Sequence, residues 1–471
     1  MSGELWRMTA REIVGLLKAR KVSPLELIDA AQARIKATDG PLNALPTLCF
    51  ERARQRATGL AGLDASHRGW LGGLPLAVKD LNEVQGVRTT WASPIFAEHI
   101  SQRTDLGVQN LEARGALVIA KSNTPEFGAG AQTFNEVFGV TRNPWDTRLT
   151  CAGSSGGSAV ALAAGQVWLA TGSDLGGSLR TPAAFCGVVG FRPSPGRVPH
   201  GPPAAALDPF SVAGPMARNV PDVALMLDAY GGQRAGDPLT FDPVENFQAA
   251  AMTAKPPLRV AWSADLGICQ VDRELAEIGA QAARRFQQLG AAVEEAHPDC
   301  AGAREVFQTF RAHHMASNRG PLLGEHRAKM KPEVIWNIEA GLKLSSDDLR
   351  RAFRLQGALF QRFVAFFETH DILALPTAQA PAFPVEQRYV ETINGVKLET
   401  YVDWLLITSV ITMTGCPVLS LPCGFTKAGM PVGLQLVGKP RGEAALLGAA
   451  AALEQALGLA GRVPIDPVVR H

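Results

Sequence analysis

Between Cys151 and Gly190 the chain reads CAGSSGGSAVALAAGQVWLATGSDLGGSLRTPAAFCGVVG. Two serine- and glycine-rich clusters, 153–158 and 172–178, bracket an apolar Ala/Val/Leu run. Glycine carries a large conformational cost on folding, so two such clusters mark backbone that turns sharply or approaches something closely. The run from Ala159 to Ala170 predicts a buried helix, too short to cross a bilayer. The expected arrangement is turn, helix, turn, with a serine-bearing loop at each helix end.

The surrounding pattern is that of a large globular protein. Two capping boxes, Thr9 with Glu12 and Ser23-Pro24 with Glu26, predict a pair of N-terminal helices. GGLPLAVKD (72–80) and GALVIAK (115–121) predict buried strands, and residues 127–146 a long Gly/Asn-punctuated loop. A Pro/Gly-rich loop is expected to about 215, followed by a helix capped by Asn219. LRVAW (258–262), a helix over 272–289 and AAVEEA (291–296) form a strand–helix–strand unit, the signature of parallel pairing. Residues 303–367 predict a helical layer or lid, and 371–377, 416–425 and 432–438 further strands before an amphipathic helix at 443–457. Alternation of strands and helices gives α/β, with a large, mostly parallel mixed central sheet covered by helices on both faces. One domain is expected over 1–471, its core at about 70–230.

Hydrophobic residues at 46% and charged residues at 19% fit a packed protein of 471 residues. Lys+Arg 46 against Asp+Glu 44 leaves a net charge of +2 and no basic footprint for nucleic acid. The seven cysteines are scattered without a CxxC, as free thiols in a reducing compartment would be. The N-terminus lacks the apolar segment of a signal peptide, so a cytoplasmic protein without membrane attachment is expected. No HExxH or Cys/His cluster suggests a metal, and no cofactor is expected.

A serine nucleophile needs a base, usually histidine, yet only His200 of the nine histidines lies near a serine cluster in sequence. Lys79 is another base. It ends the apolar run Pro75-Leu76-Ala77-Val78, and burial of a lysine favours its neutral form, which accepts a serine proton. A bland alternative is a structural lysine paired with Asp80.

GSSGGS, SDLGGSLRTPAAFCGVVGFRP and the upstream PLAVKD together resemble the amidase signature family, tightly over roughly 70–230. Lys79 precedes Ser154 by 75 residues and Ser154 precedes Ser178 by 24, spacings similar to the family's. The resemblance implies Ser178 as nucleophile, Ser154 (after a cis peptide) as bridging hydroxyl and Lys79 as base. It implies an oxyanion hole from the backbone N–H groups of Leu175, Gly176, Gly177 and Ser178, and substrate contact at Gly128 and Ala129. Asp174 and Arg180 match a pair that holds the loop. Cys151-Ala152 stands where the family often has Pro-Gly or Gly-Gly, and Ser173 and Leu175 replace threonines. The implied reaction is hydrolysis of an amide C–N bond, with esters and carbamates presenting the same carbonyl. A small-molecule amide or carbamate is thus the expected substrate, acted on by a monomer or homodimer.

The family also contains glutaminyl-tRNA amidotransferase subunits, which work with partner subunits and resemble DEFxMGSSTENS where this chain has PEFGAGAQTFN. This loop looks like those of the stand-alone amidases. A non-enzymatic binding protein on the same fold is a further alternative. Gly153-Ser154-Ser155-Gly156-Gly157 also matches the G-x-S-x-G elbow, which would make Ser155 the nucleophile. That elbow needs a preceding strand, and NPWDTRLTCA reads as none. GLQLVGKP (433–440) misses the phosphate loop because Pro440 replaces its hydroxyl, and S-x-x-K is absent. The small residues of Gly128-Ala129-Gly130-Ala131 suggest an open acyl pocket, walled by Phe134, Phe138, Trp404 and aromatics of 303–367 and suited to bulky acyl or aryl groups.

Overall fold

The structure is a computed structural model that describes residues 4–60, 62–201, 206–242 and 244–470. Both N-terminal helices, Ala10–Lys18 and Pro24–Thr38, begin at complete capping boxes in which Thr9 and Ser23 exchange bonds with Glu12 and Glu26. Each box satisfies donors that a helix start otherwise leaves unpaired.

Eleven strands form the central sheet: β1 (Thr47–Leu48), β2 (Pro75–Lys79), β3 (Leu117–Ser122), β4 (Leu169–Asp174), β5 (Val189–Arg192), β6 (Val212–Ala217), β7 (Arg259–Trp262), β8 (Ala292–Glu295), β9 (Ile372–Pro376), β10 (Val418–Phe425) and β11 (Pro431–Val437). Their spatial order is β1-β3-β2-β4-β6-β5-β10-β11-β9-β7-β8. The fold is α/β with a mixed sheet flanked by helices, as expected. The parallel share is smaller than expected. Parallel pairing joins β3-β2-β4 and β9-β7-β8, whereas the six other neighbouring pairs are antiparallel. The two parallel blocks are joined by the antiparallel run β4-β6-β5-β10-β11-β9, which the strand–helix alternation does not reveal.

The 151–190 stretch departs from its expected layout in one respect. The helix covers only Gly156–Ala163, and Leu169–Asp174 is strand β4, so the second serine cluster starts inside a strand. A short helix, Arg180–Cys186, follows and packs against β5, β10 and β11. The segment NPWDTRLTCA does contain a strand, Asp146–Thr150, contrary to expectation. It pairs with Arg142–Asn143 in a separate two-stranded ribbon, off the central sheet.

The capped helix Val220–Tyr230 forms with Asn219 accepting from the Asp222 N–H, while the part of the expected Pro/Gly-rich loop at 202–205 lies outside the described residues. Residues 303–367 form three helices, Ala303–His326, Pro332–Leu342 and Ser346–Thr369, and the first packs on the other two. Among the described residues no helix is long and apolar enough to cross a membrane, and no group of three or more His, Cys, Asp or Glu could hold a metal ion. All seven cysteines are free thiols.

Candidate active site

Strands β2 and β4 are parallel neighbours, Leu76 opposite Leu169 and Ala77 opposite Ala170, so their carboxyl ends lie on one edge of the sheet. Lys79 closes β2 and Asp174 closes β4. Crevices outside the carboxyl ends of parallel strands are the usual ligand sites of open α/β sheets. The first serine cluster enters this edge as the turn before the Gly156–Ala163 helix. The peptide between Gly153 and Ser154 is cis. The Ser155 N–H donates to the Ser178 carbonyl at 3.2 Å, which ties the two serine loops together.

The Lys79 side chain is fully buried and ends among hydroxyls. Its Nζ lies 2.7 Å from Ser154 Oγ, 2.9 Å from Ser155 Oγ and 2.9 Å from Ser173 Oγ. Pairing with Asp80 is ruled out by geometry. Asp80 bonds instead to Lys121 Nζ at 2.9 Å and to the Thr90 backbone N–H and hydroxyl. Successive residues along a strand face opposite sides of the sheet, which separates Lys79 from Asp80. Burial lowers the Lys79 pKa to about 7, against the weaker upward pull of the Asp174 charge.

Ser155 differs from the other two hydroxyls, each of which has Lys79 as its one partner among the described residues. Ser155 Oγ donates to the Ser173 carbonyl at 3.4 Å and accepts the Ser173 N–H at 3.3 Å, so toward Lys79 it can only accept. Ser154 Oγ has no other partner among the described residues, which leaves its proton free for the lone pair of a neutral lysine.

Asp174 organises the second loop. Its carboxylate takes a two-point bond from Arg180, with Nε and Nη2 both at 2.9 Å, and faces Arg192. It also accepts the N–H groups of Gly177 at 2.9 Å and Leu179 at 3.1 Å. Burial alone would raise its pKa, but Arg180, Arg192 and the Gly177 N–H bring it down to about 2. Arg180 continues to the Thr408 carbonyl and Gln435 Oε1. The Asp174–Arg180 pair therefore shapes the loop.

This bonding corrects the set of four expected oxyanion donors. The Gly177 N–H is occupied by Asp174. Leu175, Gly176 and Ser178 keep N–H groups without an internal acceptor among the described residues. Gly177 itself adopts φ +117°, and a Cβ there would stand 2.4 Å from Thr408 Oγ1. Ser178 is half-buried at the loop tip, and its hydroxyl is not bonded to Ser154.

Gly128 borders the same hydroxyls. A Cβ on Gly128 would stand 3.3 Å from Ser154 Oγ and 3.1 Å from Leu81 Cδ1. Ala129 is buried behind it, with its carbonyl accepting from Lys331 Nζ at 3.1 Å. The open-pocket expectation is corrected here. A Cβ at Gly130 would meet Lys331 Nζ at 2.9 Å, so that space is filled by a lysine from the helical layer. Phe134 lies under Lys331 and Arg388, Phe138 under Arg88, and Trp404 is buried against Phe383. None of these rings lines the cavity beside the site.

That cavity, about 320 Å³, is bounded by Ser173, Leu81, Trp91, Phe127 and one face of the Ala303–His326 helix. Sequence reasoning missed Ser155 and Ser173 as lysine partners, and it expected aromatics of 303–367 at the pocket where the structure places His314, Met315, Asn318 and Arg319 of that stretch. Hydroxyls in glycine-rich turns carry no signal of their own direction, and the helix lies more than a hundred residues downstream of the serine loops.

The Amidase family profile matches residues 26–447. An acylamidase of Rhodococcus erythropolis is 33% identical over 468 residues, covering 98% of both chains. A glutamyl-tRNA(Gln) amidotransferase subunit from Moorella thermoacetica is 35% identical over 479 residues, covering 96% of this chain and 97% of that one. Among solved structures, a bacterial aryl acylamidase of the amidase signature family superposes with a TM-score of 0.89 at 26% identity, covering 97% and 99%. With the family's sequence pattern matched over most of its length and the fold shared throughout, this chain belongs to the amidase signature family.

Proposed function

We propose that this chain hydrolyses the C–N bond of small carboxylic amides through an acyl-enzyme on Ser178, with Lys79 as base and Ser154 as the bridging hydroxyl. The observation that carries this reading is a fully buried lysine, without a carboxylate partner among the described residues, 2.7 Å from a serine hydroxyl whose proton is uncommitted. At a pKa of about 7 a large fraction of Lys79 is neutral near physiological pH. A base poised near the working pH is the effective one.

Neutral Lys79 takes the Ser154 proton as Ser154 takes the Ser178 proton, and Ser178 Oγ bonds to the amide carbon. Ser178 must turn toward Ser154 for this, and catalytic hydrogen bonds commonly close only when substrate is seated. The carbonyl oxygen gains the negative charge, facing the N–H groups of Leu175, Gly176 and Ser178. Collapse breaks the C–N bond while the lysine proton returns through Ser154 to the nitrogen, so that a neutral amine leaves. Water then repeats the relay on the acyl-enzyme, releasing the acid and restoring Ser178. Carbamates and esters present the same carbonyl to the same groups.

The elbow reading fares less well. Among the described residues Ser155 has no histidine partner, and its proton points to the Ser173 carbonyl. A second functional reading rests on the 35% identity to the amidotransferase protein. In that reading the chain would need partner subunits to act. The loop PEFGAGAQTFN favours the stand-alone reading by its likeness to such amidases.

The test uses the purified chain alone, with an acyl anilide as substrate and a p-nitrophenyl ester as an acylating probe followed by peptide mass spectrometry. Anilide turnover and an acyl group on Ser178 are expected, both lost in Ser178→Ala. Acylation of Ser155, or turnover that survives in Ser178→Ala, contradicts the mechanism. Activity that appears only with added partner subunits supports the second reading.

A further inference from the structure

The wall that the Ala303–His326 helix gives to the cavity carries His314, Met315, Asn318 and Arg319. Their three- and four-residue spacing places them on one helix face. Arg319 differs from the other arginines of that helix. Arg304 bonds to Asp403 and Glu399, and Arg311 to Asn337 and Tyr401. The Arg319 guanidinium has no hydrogen-bond or ion-pair partner among the described residues. It lies over the Phe127 ring, 4.5 Å from the centroid.

The acids on the cavity wall do not answer it. Asp208 is taken by His314, Glu83 by Arg103 at 2.7 Å, and Asp105 by Asn82 at 2.7 Å. Among the described residues Arg319 is thus a cation of this wall that no acid pairs with. Burial lowers its pKa with no acid opposing the shift, which agrees with that isolation. Arg319 is half-buried, its guanidinium donors have no acceptor among the described residues, and a planar carboxylate matches that fork of donors.

The location links this charge to the reaction centre. Phe127 directly precedes Gly128, whose Cβ position is 3.3 Å from Ser154 Oγ. Ser173, on the same wall, bonds Lys79. Trp91, Phe127, Met315 and Leu81 supply apolar surface between the two ends. We propose that Arg319 is a specificity residue that recognises a carboxylate on the substrate, so that the site selects amides with an apolar or aryl stem and an anionic end. This inference rests on the amide-hydrolase reading and narrows its substrate class.

The experiment measures binding, which does not depend on turnover. Ser178→Ala protein is titrated calorimetrically with two carboxylate probes, 4-acetamidobenzoate and N-phenylsuccinamate, which carry the charge on the amine and acyl sides respectively. Their neutral counterparts are 4-acetamidobenzamide and N-phenylsuccinamide. At least one carboxylate should bind about tenfold tighter than its neutral counterpart, the scale of one charged hydrogen-bonding pair. Arg319→Gln and Arg319→Met should both erase that preference, and Arg319→Lys should keep part of it. Equal affinity within both pairs, or a preference that survives in Arg319→Gln and Arg319→Met, overturns the proposal. Anilide hydrolysis by the unmodified enzyme reports separately on the amide-hydrolase reading, so failure of the one is distinguishable from failure of the other.

Discussion

Lys79 Nζ stands 2.7 Å from Ser154 Oγ and is the only partner of that hydroxyl among the described residues, whereas Ser155 Oγ, 2.9 Å from the same nitrogen, is also held by the backbone of Ser173. The two neighbouring serines should therefore respond differently to truncation. Ser154→Ala would break the proposed relay and should lower kcat by about 10²–10⁴-fold, the usual scale of a positioned proton carrier. Ser155→Ala removes only an acceptor and should cost less than about tenfold, under ~1.4 kcal/mol of barrier. Steady-state kinetics on an acyl anilide checks both, and equal losses would place the two hydroxyls in one role.

Asp174 predicts an effect on stability rather than chemistry. It is fully buried between Arg180 and Arg192 and also holds the Gly177 and Leu179 N–H groups. Asp174→Asn leaves buried guanidinium charge without its counter-charge, which costs about 3–5 kcal/mol. Thermal unfolding should show a clear drop in Tm at neutral pH. The folded-state pKa of about 2 lies below the ordinary aspartate value of 3.8, so the carboxylate stabilises the fold fully above about pH 4. That contribution fades as pH falls from about 4 to about 2. The gap in Tm between wild type and Asp174→Asn should narrow over that window.

Gly128→Ala tests the closeness of the loop to the relay. Gly128 has φ +74°, where a side chain is strained, and the new Cβ would press on Ser154 Oγ and Leu81. A shift of the order of 1 Å in a reacting group costs about 100-fold in rate. The expected result is a fall in kcat of about that size with most of the Tm retained. Unchanged kcat would show that the loop does not border the reacting atoms.

Much of this site is legible in the sequence because its parts are local. Lys79 ends an apolar strand, so burial and a lowered pKa follow from the run before it. Serines 154 and 178 sit in glycine-rich loops whose spacing resembles the family's. The Gly177 N–H is lost to Asp174, three residues away, through a side-chain rotamer that spacing does not specify. The helix–strand boundary near Trp168 is hidden because helix and strand are both buried there, and a continuous apolar run has no period to distinguish them. The cavity wall is least legible. Arg319 and Lys331 arrive from the helical layer, and their meeting with Phe127 and Ala129 is decided by tertiary packing.

The central claim is that a neutral Lys79 drives the Ser154–Ser178 relay, and the pH dependence of kcat/KM tests it most directly. Burial lowers the Lys79 pKa, so the active, unprotonated form grows as pH rises through about 7. The wild-type enzyme should show an ascending limb with an apparent pKa near 7, and Lys79→Ala should lose both that limb and most of the rate. An ascending limb that persists unchanged in Lys79→Ala would assign the titration to another group and contradict the mechanism.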